Sequence, residues 1–210
     1  MSRPAIQFCP ERHEYQVNGR RMPSVTEILK PLYGDLRFVR EDILEYKREL
    51  GVAVHKAVEL HIKGGLIYSS LEGPVADYFE QYLNFEVETG FEPMASEVMV
   101  YSALGYCGTL DIFGRLNGKL MPIDLKCTAA LSPAVALQVA AYRKAYAEHY
   151  GIDERHLSRS SLRLTPTKFH YHPYKPITDA TDFGAFLGLL KINQWCRANG
   201  AELSEVSTHV

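Results

Sequence analysis

Two aspartates and a lysine could act together if the chain between them folds as a hairpin. Asn117 and Gly118 separate two apolar segments, and this pair of residue types is the strongest short-range signal for a two-residue hairpin loop. Such a loop places Asp111 directly opposite Asp124, with their Cβ atoms about 4.5 to 5.5 Å apart. Like charges at that separation destabilise a sheet unless a proton, a cation or a metal offsets them. The hairpin therefore predicts either a metal site or a pair of solvated surface aspartates.

Lys126 shares the sheet face of Asp124, because strand side chains repeat every two residues, and it would face Thr109. A hard divalent ion such as Mg²⁺ takes one or two carboxylates and fills its other positions with waters and substrate phosphate. The ammonium of Lys126 beside such an ion would orient a water or stabilise charge that develops on a phosphate. In the alternative interpretation, Lys126 simply extends along the surface towards solvent.

The residues that flank these positions are apolar and are expected to face the core on the opposite side of the sheet: Leu110, Ile112, Ile123 and Leu125. Pro122 lies inside the second strand, where proline indicates a bulge or an edge. The register could therefore shift by one residue, which would move every side chain of the strand to the other face.

Four segments carry motifs in a definite order: Gly51 to His55 as G-x-x-x-H, Gly108 to Asp111 as G-x-x-D, Asp124 to Lys126 as D-x-K, and Gln138 to Tyr142 as Q-x-x-x-Y. This order resembles the RecB-like branch of the PD-(D/E)XK nuclease superfamily, over about residues 50–145. The opening segments 13–15 and 23–26 also resemble the start of phage-type and mitochondrial-genome-maintenance-type exonucleases of this group.

The resemblance implies a role for each matching residue. Asp111 and Asp124 would ligate the metal, and the backbone carbonyl of Leu125 would add a ligand. Lys126 would position or activate the attacking water. His55 would complete the metal site from its helix.

Two glutamates are further candidates for holding the metal or its water. Glu97 resembles an acidic residue that often precedes the G-x-x-D motif, and Glu59 lies one helical turn after His55. Two alternatives stay open, because Glu59 could simply pair with His55 and Glu97 could be an ordinary surface glutamate.

Gln138 and Tyr142 lie four residues apart and therefore on one face of a helix. The resemblance places them near the site and the substrate strand, and Thr109, Thr128 and Arg143 are further candidates for substrate binding. The alternative for Gln138 and Tyr142 is the polar edge of a packed helix.

Basic residues cluster locally although the chain is close to neutral, with 23 Lys and Arg against 25 Asp and Glu. Phosphate contacts need local cations rather than a global excess. The clusters are Arg37, Arg40, Lys47 and Arg48; Arg143 and Lys144; and Arg155, Arg159, Arg163 and Lys168. Tyr33 and Phe38 beside the first cluster could stack on unpaired bases. Each cluster could equally be an ordinary solvated face.

The 210 residues suit one sizeable domain, and 46% hydrophobic with 23% charged residues is an ordinary composition for a soluble globular protein. No apolar run approaches the roughly 18 to 20 residues that span a bilayer, and the start lacks the apolar segment of a signal peptide. We therefore expect a cytoplasmic protein without a membrane partner. The four cysteines are scattered, so neither a zinc site nor an iron–sulfur cluster is expected.

Turn and capping signals divide the chain into helices and strands. We expect a hairpin over 6–17, a short helix from 26 to about 31, helix over 40–63 with a break at Gly51, and helix over 74–90. Strands over 97–101, 106–116 and 119–127 precede a helix that Ser132-Pro133 opens and Gly151 ends. A hairpin over 162–171 and a helix over 181–199 follow. The order predicts a mixed α/β sandwich.

The resemblance refines this to one PD-(D/E)XK domain over residues 1–210, an α/β fold whose restriction-endonuclease-like core is a central mixed β-sheet flanked by helices. Residues 1–50 would form an N-terminal hairpin and helical entry segment, and residues 51–200 the catalytic core. It implies a DNA exonuclease that needs Mg²⁺, with Mn²⁺ able to substitute, and acts on single strands or duplex ends in recombination, repair or replication. A single-strand-binding or annealing protein is a candidate partner. The alternatives are a structure-specific or sequence-specific endonuclease, or a non-catalytic nucleic-acid-binding member of the fold, and RNA as substrate is also open.

Overall fold

Two β-sheets and five α-helices make up the part of the chain that the computed structural model describes, residues 4–12, 14–33 and 40–201. The small sheet contains β1 (Ile6–Cys9), β2 (Glu14–Val17) and β3 (Arg20–Met22). The large sheet contains β4 (Glu92–Ser102), β5 (Tyr106–Leu116), β6 (Lys119–Lys126), β7 (Ser160–Leu164) and β8 (Phe169–Pro173). The helices are α1 (Val25–Leu29), α2 (Glu41–Ile62), α3 (Gly73–Thr89), α4 (Ala134–Tyr150) and α5 (Asp179–Asn199).

The strands of the large sheet are in the order β4-β5-β6-β7-β8. β6 and β7 are parallel, because α4 carries the chain back between them, and the other neighbouring strands are antiparallel. α2 and α3 pack on one face of this sheet, and α1, α4 and α5 pack on the other. The expected α/β fold with a central mixed sheet flanked by helices is therefore confirmed. None of the described helices combines the length and the apolar character needed to cross a membrane.

The sheet separates two hydrophobic cores, and β5 contributes to both. Ile112, Ile123 and Leu125 pack in the core with α2 and α3, as expected. Leu110 packs in the other core together with Phe113, so the expectation that it shares a face with Ile112 is wrong. Leu110 and Phe113 lie three residues apart on one strand and yet face the same side. The alternation of β5 is therefore interrupted between them, where Asp111 lies.

The β5–β6 hairpin has the register that the loop Asn117-Gly118 predicts. The loop residues have φ of 50° and 76°, as a type I′ turn requires. The ladder continues without a shift as far as Ile112 opposite Ile123, so Pro122 introduces no bulge.

Beyond this point β6 diverges from β5 and pairs with β7. Here a side chain replaces the backbone as hydrogen-bond acceptor: Oδ2 of Asp111 accepts the backbone N–H of Leu125 at 2.7 Å. Lys126 pairs with Arg163 of β7. The predicted cross-strand pairs of Asp111 with Asp124 and of Lys126 with Thr109 therefore do not form, because the β5–β6 ladder ends at Ile112 and Ile123.

The N-terminal segment forms three strands rather than the predicted two. A second turn at Asn18-Gly19, with φ of 49° and 76°, returns the chain into β3. The hydroxyl of Tyr15 lies 2.9 Å from that of Thr109, and the N–H of Cys107 donates to the carbonyl of Pro23 at 3.1 Å. These contacts attach the small sheet to β5 close to Asp111.

The helices differ from expectation at Gly51 and, by one or two residues, at several of their ends. α2 runs unbroken through Gly51, because the buried Leu50 and Val54 on either side anchor it to the sheet and outweigh the cost of about 1 kcal/mol for a helical glycine. The expected division of the chain at residue 50 falls inside this helix. α4 begins one residue later than predicted, at Ala134, whose N–H donates to Oγ of Ser132 at 3.3 Å.

Two glycines should respond in opposite ways to alanine. A Cβ on Gly114 would overlap the ring of Phe91 and lie 2.6 Å from the carbonyl oxygen of Glu92, so Gly114→Ala should lower the free energy of unfolding by about 1 to 3 kcal/mol. A Cβ on Gly51 meets nothing within 4 Å inside a helix, so Gly51→Ala should raise it by about 0.5 to 1 kcal/mol. Urea denaturation followed by circular dichroism measures both changes. Equal effects of the two substitutions would contradict the close packing at Gly114.

Candidate active site

Glu97 and Asp111 face each other across the β4–β5 ladder where its regularity breaks. The pairing of Val98 with Leu110 places Glu97 opposite Asp111. Glu97 has φ of 51°, in the left-handed region that residues other than glycine seldom adopt. Strained residues of this kind cluster at functional sites, and a local irregularity in a strand re-aims the side chain. The distortion thus brings two carboxylates to one point.

His55 reaches the same point from α2. One ligand atom each of His55, Glu97 and Asp111 lies within 4.8 Å of the other two. Nδ1 of His55 is 3.6 Å from Oδ1 of Asp111, while Oδ2 of Asp111 is held by the N–H of Leu125. An imidazole and two carboxylates offer nitrogen and oxygen donors to a divalent cation. These three side chains are therefore a candidate metal centre.

Asp124 is buried beside this cluster, and its side chain is 1% exposed. Its Oδ1 accepts a hydrogen bond from Nζ of Lys126 at 2.8 Å, whereas its buried Oδ2 has no hydrogen-bond partner among the residues described. Burial raises the pKa of Asp124; the ammonium of Lys126 opposes this and the charge of Asp111 reinforces it. An unpaired buried carboxylate oxygen is costly, and a cation would satisfy it. Asp124 is outside the group whose ligand atoms lie within 4.8 Å of one another, but its unsatisfied oxygen and those three side chains together fit a metal ion.

Lys126 extends its ammonium towards these carboxylates. Burial opposes its charge, but Asp124 and Asp111 outweigh burial and raise the pKa of Lys126. The side chain is therefore a cation and a hydrogen-bond donor at neutral pH. Tyr33 lies near it as well: burial raises the pKa of Tyr33, with smaller contributions from the charges of Lys126 and Asp124. The position of Tyr33 beside the site, rather than merely near a basic cluster, is not evident from the sequence.

Glu59 is a candidate metal ligand in the sequence, but its carboxylate binds two lysines instead. Its two carboxylate oxygens accept from Lys56 at 2.8 Å and from Lys63 at 2.6 Å, and these hydrogen bonds lower its pKa. The structure shows it paired with these lysines rather than with His55. Both oxygens of Glu59 are thus engaged by lysines, and Glu97 is the glutamate that lies with His55 and Asp111.

Gln138 and Tyr142 lie on the face of α4 that covers the site, and both are buried, at 4% and 5% exposure. A Cβ at Gly108 would lie 2.9 Å from Cε1 of Tyr142, so the glycine of the G-x-x-D motif lets this ring pack on β5. Burial and then the charge of Asp111 raise the pKa of Tyr142 well above its usual range. Tyr142 is therefore packed against β5 behind the candidate site, which favours the alternative of a packed helix face.

The other three candidates for substrate binding have protein partners. The Thr109 hydroxyl contacts that of Tyr15, and the Thr128 hydroxyl donates to the carbonyl of Ala130 at 2.9 Å. The guanidinium of Arg143 donates to Glu154 at 2.7 Å and also to Asp179. These ion pairs favour a structural role for Arg143, and a substrate contact of this residue stays a prediction.

Most of the basic residues in the predicted clusters are likewise paired with carboxylates. The pairs are Arg40 with Asp42, Arg48 with Glu45, Lys144 with Glu148, Arg155 with Asp153, and Arg159 with Asp179 and Asp182. Arg37 and Phe38, and His13 of the opening motif, lie outside the described residues. Local excess of basic residue types in sequence is thus a poor guide to available cations, because tertiary pairing neutralises most of them.

Metal-free protein should lose stability as the pH rises through the titration of Glu97. Glu97 is exposed, but partial desolvation by the neighbouring residues, reinforced by the charge of Asp111, raises the pKa of Glu97 to about 7 from 4.5. The folded state then binds this proton more tightly than the unfolded chain, so the contribution to stability is complete below pH 4.5 and is lost as the pH passes about 7.

Urea denaturation in EDTA across this pH range tests the expectation. The midpoint of the unaltered protein should fall more steeply with pH than that of Glu97→Gln. Glu92→Gln changes another glutamate of the same strand, which pairs with Arg115, and serves as the matched control. Parallel pH profiles for the unaltered protein and Glu97→Gln would contradict the placement of this carboxylate.

The comparisons with known proteins concern the fold. No protein-family model matches the sequence, and no curated protein matches it. The structure is similar to that of the “Putative exonuclease” from Eubacterium rectale, with 9% identity, a TM-score of 0.49, and coverage of 77% of this chain and 72% of that chain. It is also similar to an alkaline exonuclease from Laribacter hongkongensis, with 11% identity, a TM-score of 0.40, and coverage of 87% and 95%. Both TM-scores lie below 0.5, so the site itself has to carry any conclusion about function.

Proposed function

We propose that the protein is a divalent-metal-dependent deoxyribonuclease that hydrolyses phosphodiester bonds. The observation that carries this proposal is the buried, unpartnered Oδ2 of Asp124 beside the cluster of His55, Glu97 and Asp111. A purely structural ion pair with Lys126 would leave that oxygen unsatisfied at a cost in stability, whereas a cation between the carboxylates would satisfy it. The order of the four sequence motifs supports assignment to the RecB-like branch of the PD-(D/E)XK superfamily.

Each side chain of the site has a task in this reaction. The proposed metal ligands are His55, Glu97, Asp111, Asp124 and the backbone carbonyl of Leu125. The bound ion supplies a water of lowered pKa and neutralises charge on the phosphate. The N–H of Leu125 orients Asp111, and the ammonium of Lys126 orients Asp124. As a cation, Lys126 can also hold the attacking water or stabilise the charge that grows on the phosphate oxygens.

We propose that the substrate is DNA and that the enzyme is an exonuclease acting on single strands or duplex ends, in recombination, repair or replication. Mg²⁺ would be the usual ion and Mn²⁺ a substitute. His55 and Lys126 are 27% and 26% exposed, so the site opens to solvent and a strand can reach it.

Cleavage of end-labelled linear DNA and of closed circular single-stranded DNA tests this proposal. With Mg²⁺ or Mn²⁺ we expect degradation of the linear strands, protection of the circle, and no reaction in EDTA. Cleavage of the circle would show an endonuclease instead. Binding of DNA without any cleavage would favour a non-catalytic role. An RNA strand in the same assay tests whether the substrate is DNA or RNA.

Lys126→Gln should lower kcat for DNA cleavage by about 10²- to 10³-fold, which is typical of removing one charged donor from a hydrolytic site. Lys119→Gln removes the same charge from the opposite end of β6, where the side chain is exposed, and should leave kcat unchanged. Initial rates at saturating DNA measure both variants. Comparable rates for both would contradict the role of Lys126.

A further inference from the structure

A row of basic side chains crosses the large sheet from the candidate active site to its edge. Lys126 on β6 pairs with Arg163 on β7, and Arg163 pairs with His170 on β8. Paired residues on neighbouring strands point to the same face, so these three side chains stand in one row. With strands about 4.8 Å apart, the row extends roughly 10 Å from Lys126. A second row on the same face runs from Asp124 through Ser161 to His172.

Arg163 of the first row and Lys168, which directly precedes β8, are cations, and the imidazoles of His170 and His172 follow on β8. No described carboxylate lies within 4.0 Å of Arg163, Lys168, His170 or His172, in contrast to the paired arginines elsewhere in the chain. Burial, followed by the charges of Arg163, Lys168 and His172, lowers the pKa of His170. Side chains of like charge that repel one another form a favourable site for an anion.

Arg163 is the member of this group whose position is fixed. Its Nη1 donates to the carbonyl of Ala129 at 3.0 Å, and in the described part of the chain its Nε and Nη2 have no hydrogen-bond partner. The backbone carbonyl orients the guanidinium without neutralising it. Nε and Nη2 of Arg163 therefore remain available to a phosphate. Two parallel hydrogen bonds from these nitrogens to two phosphate oxygens are the strongest way in which arginine binds phosphate.

A groove of about 470 Å³ lies beside these residues. Arg163, His172 and Tyr174 form one side, and segment 129–133 with Ala136 of α4 forms the other. The N-terminus of α4, a helix of 17 residues, thus borders the groove, and the positive end of a helix dipole favours anions. Arg163, His172 and a helix N-terminus therefore border the same groove.

We propose that this β7–β8 surface, formed by Arg163, Lys168, His170 and His172 with the adjoining groove, binds the phosphodiester backbone of the DNA strand on one side of the scissile bond. The inference rests on the proposed nuclease function, since Lys126 joins the row to the active site. The charge and the direct continuity with the site select a polyanionic strand as the occupant.

Binding of a labelled single-stranded oligonucleotide in EDTA tests the surface without cleavage. Arg163→Gln and, separately, Lys168→Gln should each weaken binding, Arg163→Gln by about tenfold. The slope of the logarithm of affinity against the logarithm of salt concentration should fall by about 0.7 for each lost phosphate contact. Lys168→Gln is included because Arg163→Gln also removes the hydrogen bond to Ala129. Lys119→Gln, with the same change in net charge, should leave affinity and slope unchanged.

Hydrolysis of bis(p-nitrophenyl) phosphate with Mn²⁺ separates this surface from the active site, because the small ester cannot extend to β8. Arg163→Gln should lower kcat/KM for the oligonucleotide and leave that for the small ester unchanged. If the unaltered protein binds DNA and cleaves neither substrate, the nuclease function fails while the surface stands. The surface is overturned if both variants bind DNA as Lys119→Gln does, if the unaltered protein binds no DNA, or if polyglutamate displaces the strand as well as DNA does.

Discussion

Asp124→Asn is expected to lower kcat/KM for metal-dependent DNA cleavage by on the order of 10³-fold, which corresponds to the several kcal/mol that a correctly held metal contributes. Asparagine keeps the shape of the side chain, so the core around β6 should remain packed. A neutral amide cannot offset the charge of a cation, and its NH₂ group would meet the ion or Lys126 with the wrong polarity. Cleavage of labelled linear DNA at saturating Mg²⁺ or Mn²⁺ measures the loss.

A second readout separates loss of metal binding from loss of folding. Mg²⁺ binds the folded state and should raise the Tm of the unaltered protein, but it should have little effect on Asp124→Asn. Asp153→Asn changes an aspartate that pairs with Arg155 at the surface, and both its cleavage rate and its response to Mg²⁺ should match those of the unaltered protein. Cleavage by Asp124→Asn within about tenfold of the unaltered rate would remove Asp124 from the proposed site.

Arg159→Met should lower the free energy of unfolding by about 3 to 5 kcal/mol, the cost of removing one partner from a buried charge network. Arg159 is 1% exposed. Its guanidinium donates to Asp179 at 2.6 Å, to the carbonyl of Ala136 at 2.8 Å and to Asp182, and so joins α4 to the start of α5. Methionine fills similar space, but it leaves Asp182 without a cation, whereas Asp179 keeps its contact with Arg143.

Urea denaturation at pH 7 measures this loss. Arg155→Met, at an arginine whose side chain is 87% exposed, should change stability by less than about 0.5 kcal/mol. Adding Asp182→Asn to Arg159→Met should recover part of the stability, because the uncompensated charge is then removed. A loss for Arg159→Met no larger than that for Arg155→Met would contradict the network.

The β5–β6 hairpin shows how far local sequence determines the candidate site. Asn117 and Gly118 adopt positive φ at low cost, which selects the loop and with it the register that brings Asp111 and Asp124 onto neighbouring strands. The capping glycines at 90, 151 and 200 end their helices where expected for the same reason, since the required φ values of 65° to 68° exclude most other residues. These predictions depend on a few adjacent residues.

Charge pairing shows where that kind of prediction fails. Arg143, Arg159 and Arg163 all belong to basic clusters in the sequence, yet Arg143 and Arg159 are neutralised by Asp179, which lies 36 and 20 residues further along the chain. Arg163 has no such partner among the described residues. The difference depends on how α5 packs on α4, and no local pattern specifies it.

The sequence by itself determined the hairpin, the helix ends and the identities of the acidic, basic and imidazole groups that could act at a metal, because turn and cap geometry is a short-range property of the chain. Tertiary structure decided which of those groups meet. It brought His55 from α2 and Glu97 from a distorted strand to Asp111, assigned Glu59 to two lysines, and aligned Arg163 with Lys126 through the parallel β6–β7 pairing. These contacts join residues far apart in the chain, and their free energy is gained only when the sheet and its helices pack together.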